Sequence, residues 1–594
     1  MEAAWAAGLA LVLGIAFLSP IFAHPQNWGI DDWDQHAFYH EAGRVSILEY
    51  GQLPQWNPYY CGGTDLLANP QSRVLDPTFP LVLWLGSFAG LKIQLLLFAA
   101  AGMLGLYALG RDLGLSPASA WIGPVVYFCG PTYALPASTG MTWIMATAYI
   151  PWVVLLVLRG FDSWRAAVGA GACLALMYYG GGVYPVLVTG TFLGFLALVS
   201  LRERRVVDAG RVLGLVLAVA VILGAAKIFP SAQFMREFPR RMDDPSGFSA
   251  QSLTFGLFHR DQRLEMRKAA FDGTHYDLPD RAWRGISTNF DDAGMYVGPV
   301  VAALFLIGLA TSWRRLWMLC AAIPVFVWLS LGERPRASLF VALHKLPVFE
   351  SMRYPERFKF IWLLAFGLFA GFGLQWLSGW LDRRAPGRRA GSIAVAAVAV
   401  LVIVDLFAVT RPIYRPAFPI PPIPVKRLDT FTQISDLEWY DAQGFRPEAA
   451  SSIHGANSSH FPALLMNAGA VNCYETAFVP RKAIPSSSPE YKGEAFLAEG
   501  GGAVATAEWS PNRLRYTVNV WGPGVLVVNQ NYASGWTAAD GRPVTSRNGL
   551  ISVKVGPEDR TVELRYGRKS FTAGLILSAV GWIAVAGIAI AKRK

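Results

Sequence analysis

Twelve apolar runs organise this chain, at about 3–22, 91–110, 118–135, 142–159, 166–179, 182–200, 212–229, 295–312, 316–331, 358–380, 391–410 and 571–591. Most run to roughly 15–25 residues, the length a helix needs to cross about 30 Å of hydrocarbon at about 1.5 Å per residue. The fifth run is short, and 79–89 reads as an extra half-helix. With 53% hydrophobic and 16% charged residues, against about 25% charge in soluble chains, a soluble domain has no interior large enough to hide them. The bilayer is the solvent, and the fold class is a polytopic α-helical membrane protein of about 12 transmembrane helices. The first run is read as a membrane helix rather than a cleaved signal. Glu2 precedes it, no basic residue does, and no clean small-x-small site follows.

The net charge of +11 would suit nucleic acid if it were clustered for that purpose. Its distribution says otherwise. With the N-terminus inside, the short cytoplasmic loops hold Arg111-Asp112, the segment from Arg159 to Arg165, Arg202-Glu203-Arg204-Arg205, Arg314-Arg315, the segment from Arg383 to Arg389, and Lys592-Arg593-Lys594. Every short basic cluster falls on one side, as the positive-inside rule requires. Nucleic acid is therefore not an expected partner, and both termini are expected in the cytoplasm.

Three external segments follow from this topology. A transmembrane region, 1–410, carries external loops at 23–78 and 230–294. A segment at 411–570 precedes a final helix and basic tail at 571–594. The 411–570 segment opens with Pro412, Pro416, Pro419, Pro421, Pro422 and Pro424, an extended linker by composition. Further on it alternates at period two. Leu514, Tyr516, Val518 and Val520 share a face, as do Ile551, Val553 and Val555, then Val562, Leu564 and Tyr566. Asp540-Gly541 and Asn548-Gly549 read as hairpin turns. A C-terminal extracytoplasmic β-sandwich or jelly-roll-like domain is expected. Cys129, Cys173 and Cys320 lie within apolar runs, whereas Cys61 and Cys473 lie outside the membrane. Nothing in the sequence brings those two together, so paired and free states both stay open. No CxxC pair or His-rich zinc spacing is present.

The first external loop is the richest in chemistry. Asp31-Asp32-Trp33-Asp34-Gln35-His36 opens a helical pattern running to about Tyr50. Phe38, Val45 and Leu48 fall near one face, opposite His40, Glu41 and Arg44, as in an amphipathic helix on the outer membrane surface. The carboxylates have two readings that can coexist. One is a general base at the water–lipid boundary; the other is a capping box, with Gln35 three residues after Asp32. The stretch Gly51 to Gly63, then Asn69-Pro70-Gln71-Ser72, mixes aromatics, amides and glycines. That suits a saccharide, and interfacial aromatics are equally ordinary belt residues.

Arg353-Tyr354-Pro355-Glu356-Arg357-Phe358-Lys359 sets three cations at the outer mouth of a helix. Guanidinium forks hold phosphate oxygens, and a snorkelling anchor is the rival. Positive charge on the outside runs against the general bias and favours the phosphate. Asp291-Asp292 reads as a solvated loop, or as a site for metal or sugar hydroxyls. Asp405, inside an apolar run, reads as the orienting partner of a basic residue.

Taken together, these residues resemble the YfhO-like bacterial membrane proteins, which belong with the GT-C superfamily of integral-membrane glycosyltransferases. The resemblance covers nearly the whole chain. It is carried by Asp32-Trp33-Asp34-Gln35, Gly51-Gln52-Leu53-Pro54-x-Trp56-Asn57-Pro58, Gly62-Gly63 with Asn69-Pro70-Gln71, and Tyr296-Val297-Gly298. Arg353-x-Pro355-x-Arg357-Phe358, Tyr532-x-x-Gly535-Trp536 and Leu564-Arg565-Tyr566 complete it.

The resemblance implies transfer of a sugar from a polyprenyl-phosphate-linked donor to a glycan or lipid-linked acceptor, on the outer face of a bacterial cytoplasmic membrane. Asp32 or Asp34 would be the general base. Arg353 and Arg357, with Lys359, would bind the donor phosphate. Gln35, His36, Trp56, Asn57, Tyr60, Asn69, Gln71, Asp292 and Tyr296 would contact sugar or acceptor. No cofactor is required, and a divalent Mg or Mn ion is compatible with Asp31, Asp32 and Asp34. One departure stands out: Gly140-Met141 occupies the place where relatives carry Gly-His. The rival readings are a flippase or transporter, and a non-catalytic glycan-assembly protein.

Overall fold

A computed structural model describes residues 1–29, 32–200, 206–240, 245, 247–262, 290–385, 389–435, 439–441, 444–446, 460–473 and 479–591. Asp31, Arg202 to Arg205, Lys592-Arg593-Lys594 and the side chain of Asp291 lie outside the described residues.

The protein is a helical membrane protein with a β-rich C-terminal region. All twelve apolar runs are helical. Among the described residues eight helices are long and apolar enough to cross a membrane, and Gly298–Ser312 and Trp317–Ser330 are shorter apolar helices. The third run is broken into Ile122–Phe128 and Pro131–Ser138. Gly130 between them is extended (φ −87°, ψ 173°) and Pro131 starts the second piece. Proline has no N–H to give the preceding turn, so it opens a helix and cannot continue one.

Helices meet closely where glycine removes the side chain. A Cβ on Gly308 would lie 1.8 Å from Phe369 O, and one on Gly373 would lie 1.9 Å from Leu304 O. The helices Gly298–Ser312 and Lys359–Arg384 thus touch backbone to backbone, with Phe305 stacked on Phe366 at 4.0 Å. In lipid such close packing replaces the hydrophobic drive between helices. The final helix, Lys569–Ile590, packs in the same way on Val206–Glu237 through Gly574. Asp405 accepts from Tyr296 OH at 2.8 Å and pairs with Arg260 at 2.7 Å.

The sandwich has two four-stranded sheets. One runs Val544–Arg547, Leu550–Val555, Gly524–Asn531, Ala495–Glu499; the other runs Trp536–Ala538, Thr561–Tyr566, Arg513–Val520, Gly502–Ser510. All three alternating faces read from the sequence point into its core. Asn548 (φ 52°) and Gly549 (φ 85°) form the two-residue hairpin between paired Arg547 and Leu550. Asp540-Gly541 is not a hairpin. It carries the chain from one sheet to the other, because Trp536–Ala538 and Val544–Arg547 lie in different sheets.

The first loop and the C-terminal region are packed as one body. Cys61 and Cys473 form a disulfide across 412 residues. Asn531 donates from Nδ2 to Cys61 O and Gly63 O at 2.7 and 2.8 Å. The proline-rich stretch docks too, Ile420 bridging Trp28. The helix Trp33–Leu48 therefore differs from its sequence reading. It does not lie on a membrane surface; Asp34 through Ala42, His40 and Glu41 included, is buried. Its polar residues are covered from within the chain, His40 by Phe79, Glu41 by Ser87 and Asp34 by the short helix His460–Leu465, which a sequence pattern cannot distinguish from water.

Candidate functional site

The segment 139–143 gathers three of the sequence-derived candidates. Thr139 O accepts from Asp32 N at 3.0 Å. Gly140, at φ +89°, lies flat against the start of the loop helix; a Cβ there would be 2.1 Å from Trp33 N, so only glycine fits. Thr142 Oγ1 meets His36 Nδ1 at 3.0 Å. Met141 sets its sulfur 4.0 Å from Arg357 Nη2, and Trp143 lies under the Arg357 guanidinium at 4.3 Å. The departure Gly140-Met141 thus falls at the centre of the site.

Beside this segment opens a small cavity lined among others by His36, Asn69, Gln71, Trp143, Tyr184 and Arg240. Asp32 stands one helical turn before His36, whose N–H donates to Asp32 O at 3.0 Å, so both share a face. Asp32 is half-buried, and its side chain makes no cap hydrogen bond. The capping-box reading fails at Gln35 as well, which donates to Tyr39 OH and Tyr60 OH at 3.0 and 2.7 Å. Burial, with the charges of His40 and Arg73, pushes the His36 imidazole down to about 3. It enters the cavity neutral, as a hydrogen-bonding ring rather than a cation.

Arg240 is the cation of this cavity that sequence reading passed over. Its Nη2 donates to Tyr184 OH at 3.0 Å, and its buried Nε has no hydrogen-bond partner among the described residues. The signal was available. Arg240 follows an outward-going apolar run, so its charge opposes the positive-inside bias as that of Arg353 does. Arg73 was also missed: it is buried and paired with Asp76 at 2.9 Å beneath the loop.

The predicted phosphate clamp is divided. Arg357 is buried and bidentate on Asp292, at 2.8 and 3.0 Å. Its faces are covered by Tyr184 at 3.8 Å and Tyr354 at 4.5 Å. Lys359 Nζ donates to Asp292 O and Gly294 O at 2.6 and 3.0 Å. Both are built into the wall. Arg353 is half-buried and lies over Tyr354 at 4.5 Å.

Other candidates go elsewhere. Asp34 is 2% exposed and accepts from His460 N and Phe461 N at 3.0 and 3.1 Å, capping the short helix of the C-terminal region. Trp56 sits in the sandwich core against Trp536 and Tyr566, with Nε1 donating to Gln530 Oε1 at 2.8 Å. Asn57 is buried and accepts from Tyr59 N at 3.1 Å; Tyr60 is buried against His460. Tyr296 lies with Asp405, away from the cavity. Buried side chains of this kind are not surfaces for a sugar. Among the described residues no group of three His, Cys, Asp or Glu side chains is placed to hold a metal.

No family model matches the chain, and no curated protein matches it. Solved structures similar to it include the arabinofuranosyltransferase AftD from Mycobacteria, at 14% identity and TM-score 0.48, covering 96% of this chain and 40% of that one. The Archaeoglobus fulgidus oligosaccharyltransferase, solved with zinc and sulfate, matches at 12% identity and TM-score 0.44, covering 79% and 62%. ArnT from Cupriavidus metallidurans, bound to undecaprenyl phosphate, matches at 16% identity and TM-score 0.38, covering 69% and 75%. This chain thus spans well under half the length of the mycobacterial enzyme.

Proposed function

We propose that this protein is a GT-C-type membrane glycosyltransferase that moves a sugar from a polyprenyl-phosphate donor to a glycan or glycolipid acceptor outside the cytoplasmic membrane. The observation that carries the reading is the cavity that His36 and Arg240 both line, with Asp32 one helical turn before His36. Asp32 is half-exposed, and Arg240 Nε has no hydrogen-bond partner among the described residues.

Asp32 is the general base. It takes the proton of the acceptor hydroxyl as that oxygen bonds to the anomeric carbon. The bond from the anomeric carbon to the phosphate oxygen breaks, and the lipid phosphate leaves with the electron pair. Arg240 and Arg353 stabilise the charge it carries. Polyprenyl phosphate is a good leaving anion, so no acid is needed and one carboxylate suffices, unlike the pair used by hydrolases. Asn69, Gln71 and neutral His36 supply hydrogen bonds to sugar hydroxyls. Asp34, Arg357, Lys359 and Asp292 hold the wall rather than touch substrate. The disulfide supports an external placement of the loop and C-terminal region, since such bonds persist in oxidising compartments.

The test is transfer by purified protein in nanodiscs from a panel of radiolabelled polyprenyl-phosphate sugars to membrane glycolipids. Transfer lost in Asp32→Asn and Arg240→Ala, with folding intact, is expected. No transfer from any donor, or activity indifferent to both changes, would sink the reading and leave a flippase or assembly role.

A further inference from the structure

The sandwich has a second surface that the transfer chemistry does not use. Strand Arg513–Val520 starts beside the first loop, where Asn512 Nδ2 donates to Leu53 O at 2.5 Å. Arg565, one turn before the last membrane helix, pairs with Arg513 at that same end. Eight residues of strand put its other end roughly 25 Å away. Trp521 sits there, 81% exposed.

Single exposed apolar residues are common and need no explanation. Three features set Trp521 apart. It is at the opposite end of the strand from Arg513, whose partner Arg565 leads into the last apolar helix. Its ring is bedded on Gly501, where a Cβ would stand 2.6 Å from the indole, while Trp521 N donates to Gly501 O at 2.9 Å. One face is therefore fixed against bare backbone and the other is presented to water. The turn that carries it also borders a shallow, open cleft at Pro523, shared with Asp540, Arg542, Lys554, Glu558 and Asp559.

The cleft carries three carboxylates, Asp540, Glu558 and Asp559, and two cations, Arg542 and Lys554. Arg542 donates to Asp540 at 2.7 Å, to Asp559 at 2.8 and 2.5 Å, and to Lys554 O at 2.9 Å. Lys554 and Glu558 stand exposed, one of each sign. A strongly anionic partner gains little from such a surface. A neutral ligand rich in hydroxyls finds fixed donors and acceptors, next to an aromatic plane for the apolar face of a sugar ring. We infer that Trp521 and the adjoining cleft form an oligosaccharide-binding site distinct from the transfer cavity. The site would hold neutral glycan, and its existence does not depend on Asp32 chemistry.

The experiment is equilibrium binding of fluorescent maltohexaose, mannohexaose, arabinohexaose and chitohexaose to the full-length chain in nanodiscs. Binding of at least one sugar is expected, with affinity falling about tenfold or more in Trp521→Ala and largely kept in Trp521→Phe. Thermal unfolding of both variants should match the parent, because the side chain is on the surface. Failure of all four sugars to bind at millimolar concentration overturns the inference. So does binding that Trp521→Ala leaves unchanged, which would put the sugar elsewhere on the molecule.

Discussion

Two aspartates separated by one residue do different work. Asp34 spends its oxygens on the first N–H groups of His460–Leu465, 426 residues away in sequence. Asp32 heads the loop helix half-exposed. Asp34→Asn should lower stability by about 1–2 kcal/mol, as loss of a charged cap does, visible as a lower unfolding midpoint in nanodiscs. Asp32→Asn should leave the midpoint unchanged while cutting transfer by about 10²–10⁴-fold. Identical behaviour of the two variants would undo the distinction. Arg357 makes a contrasting case. Its charge is buried on Asp292, so Arg357→Met strands a carboxylate and should cost about 3–5 kcal/mol. Replacing Asp292 by Leu as well should recover part of that loss, and a double variant no better than the single would refute the pairing argument.

At the scale of elements, packing without side chains decides how the spans fit. Gly373→Leu would push four carbons into Leu304 O, where even a Cβ has 1.9 Å. It should prevent normal assembly, whereas Gly190→Leu, with nothing within 4 Å, should be silent. Comparing monodisperse yield from detergent checks both. The apolar runs were legible in the sequence because lipid leaves no other fate for such stretches, and the sandwich faces because period two needs no knowledge of partners. The loop helix was not. A polar helical face looks alike whether water or other parts of the chain cover it, and here Phe79 and Ser87 cover His40 and Glu41 while His460 covers Asp34. Trp56 and Tyr60 were misleading for a related reason. Aromatics beside amides describe a sugar site and a hydrogen-bonded core equally well, and only the partner Gln530 decides between them. Arg240 was legible by charge bias alone. The Cys61–Cys473 bond was not, because no local pattern encodes a pairing across the whole chain.

At the scale of the molecule, the external body is held by long-range polar ties that respond to pH. Glu494 links its parts: Oε1 accepts from Gln433 N at 2.7 Å and Tyr491 OH at 2.9 Å, and Oε2 accepts from Asn529 Nδ2 at 3.4 Å. Those donors favour the carboxylate, but burial outweighs them and raises the group to about 7. Unfolded, a glutamate titrates near 4.3. Between these values the folded state binds the proton and the unfolded state releases it. Stability must then fall as pH rises across about 4.5 to 7, and level off above that range. The loss should be local, since Glu494 joins the segment around Thr432–Ile434 to the strand Gly524–Asn531. Hydrogen exchange on the full chain in nanodiscs is the measurement, after correction for the intrinsic rate at each pH. Protection of 524–531 should be greater at pH 5 than at pH 8, while the buried helix Lys359–Arg384 changes little. Glu494→Gln, which cannot ionise, should flatten the difference. Equal protection at both pH values, or a slope that survives Glu494→Gln, would show that another group sets the pH response of this body.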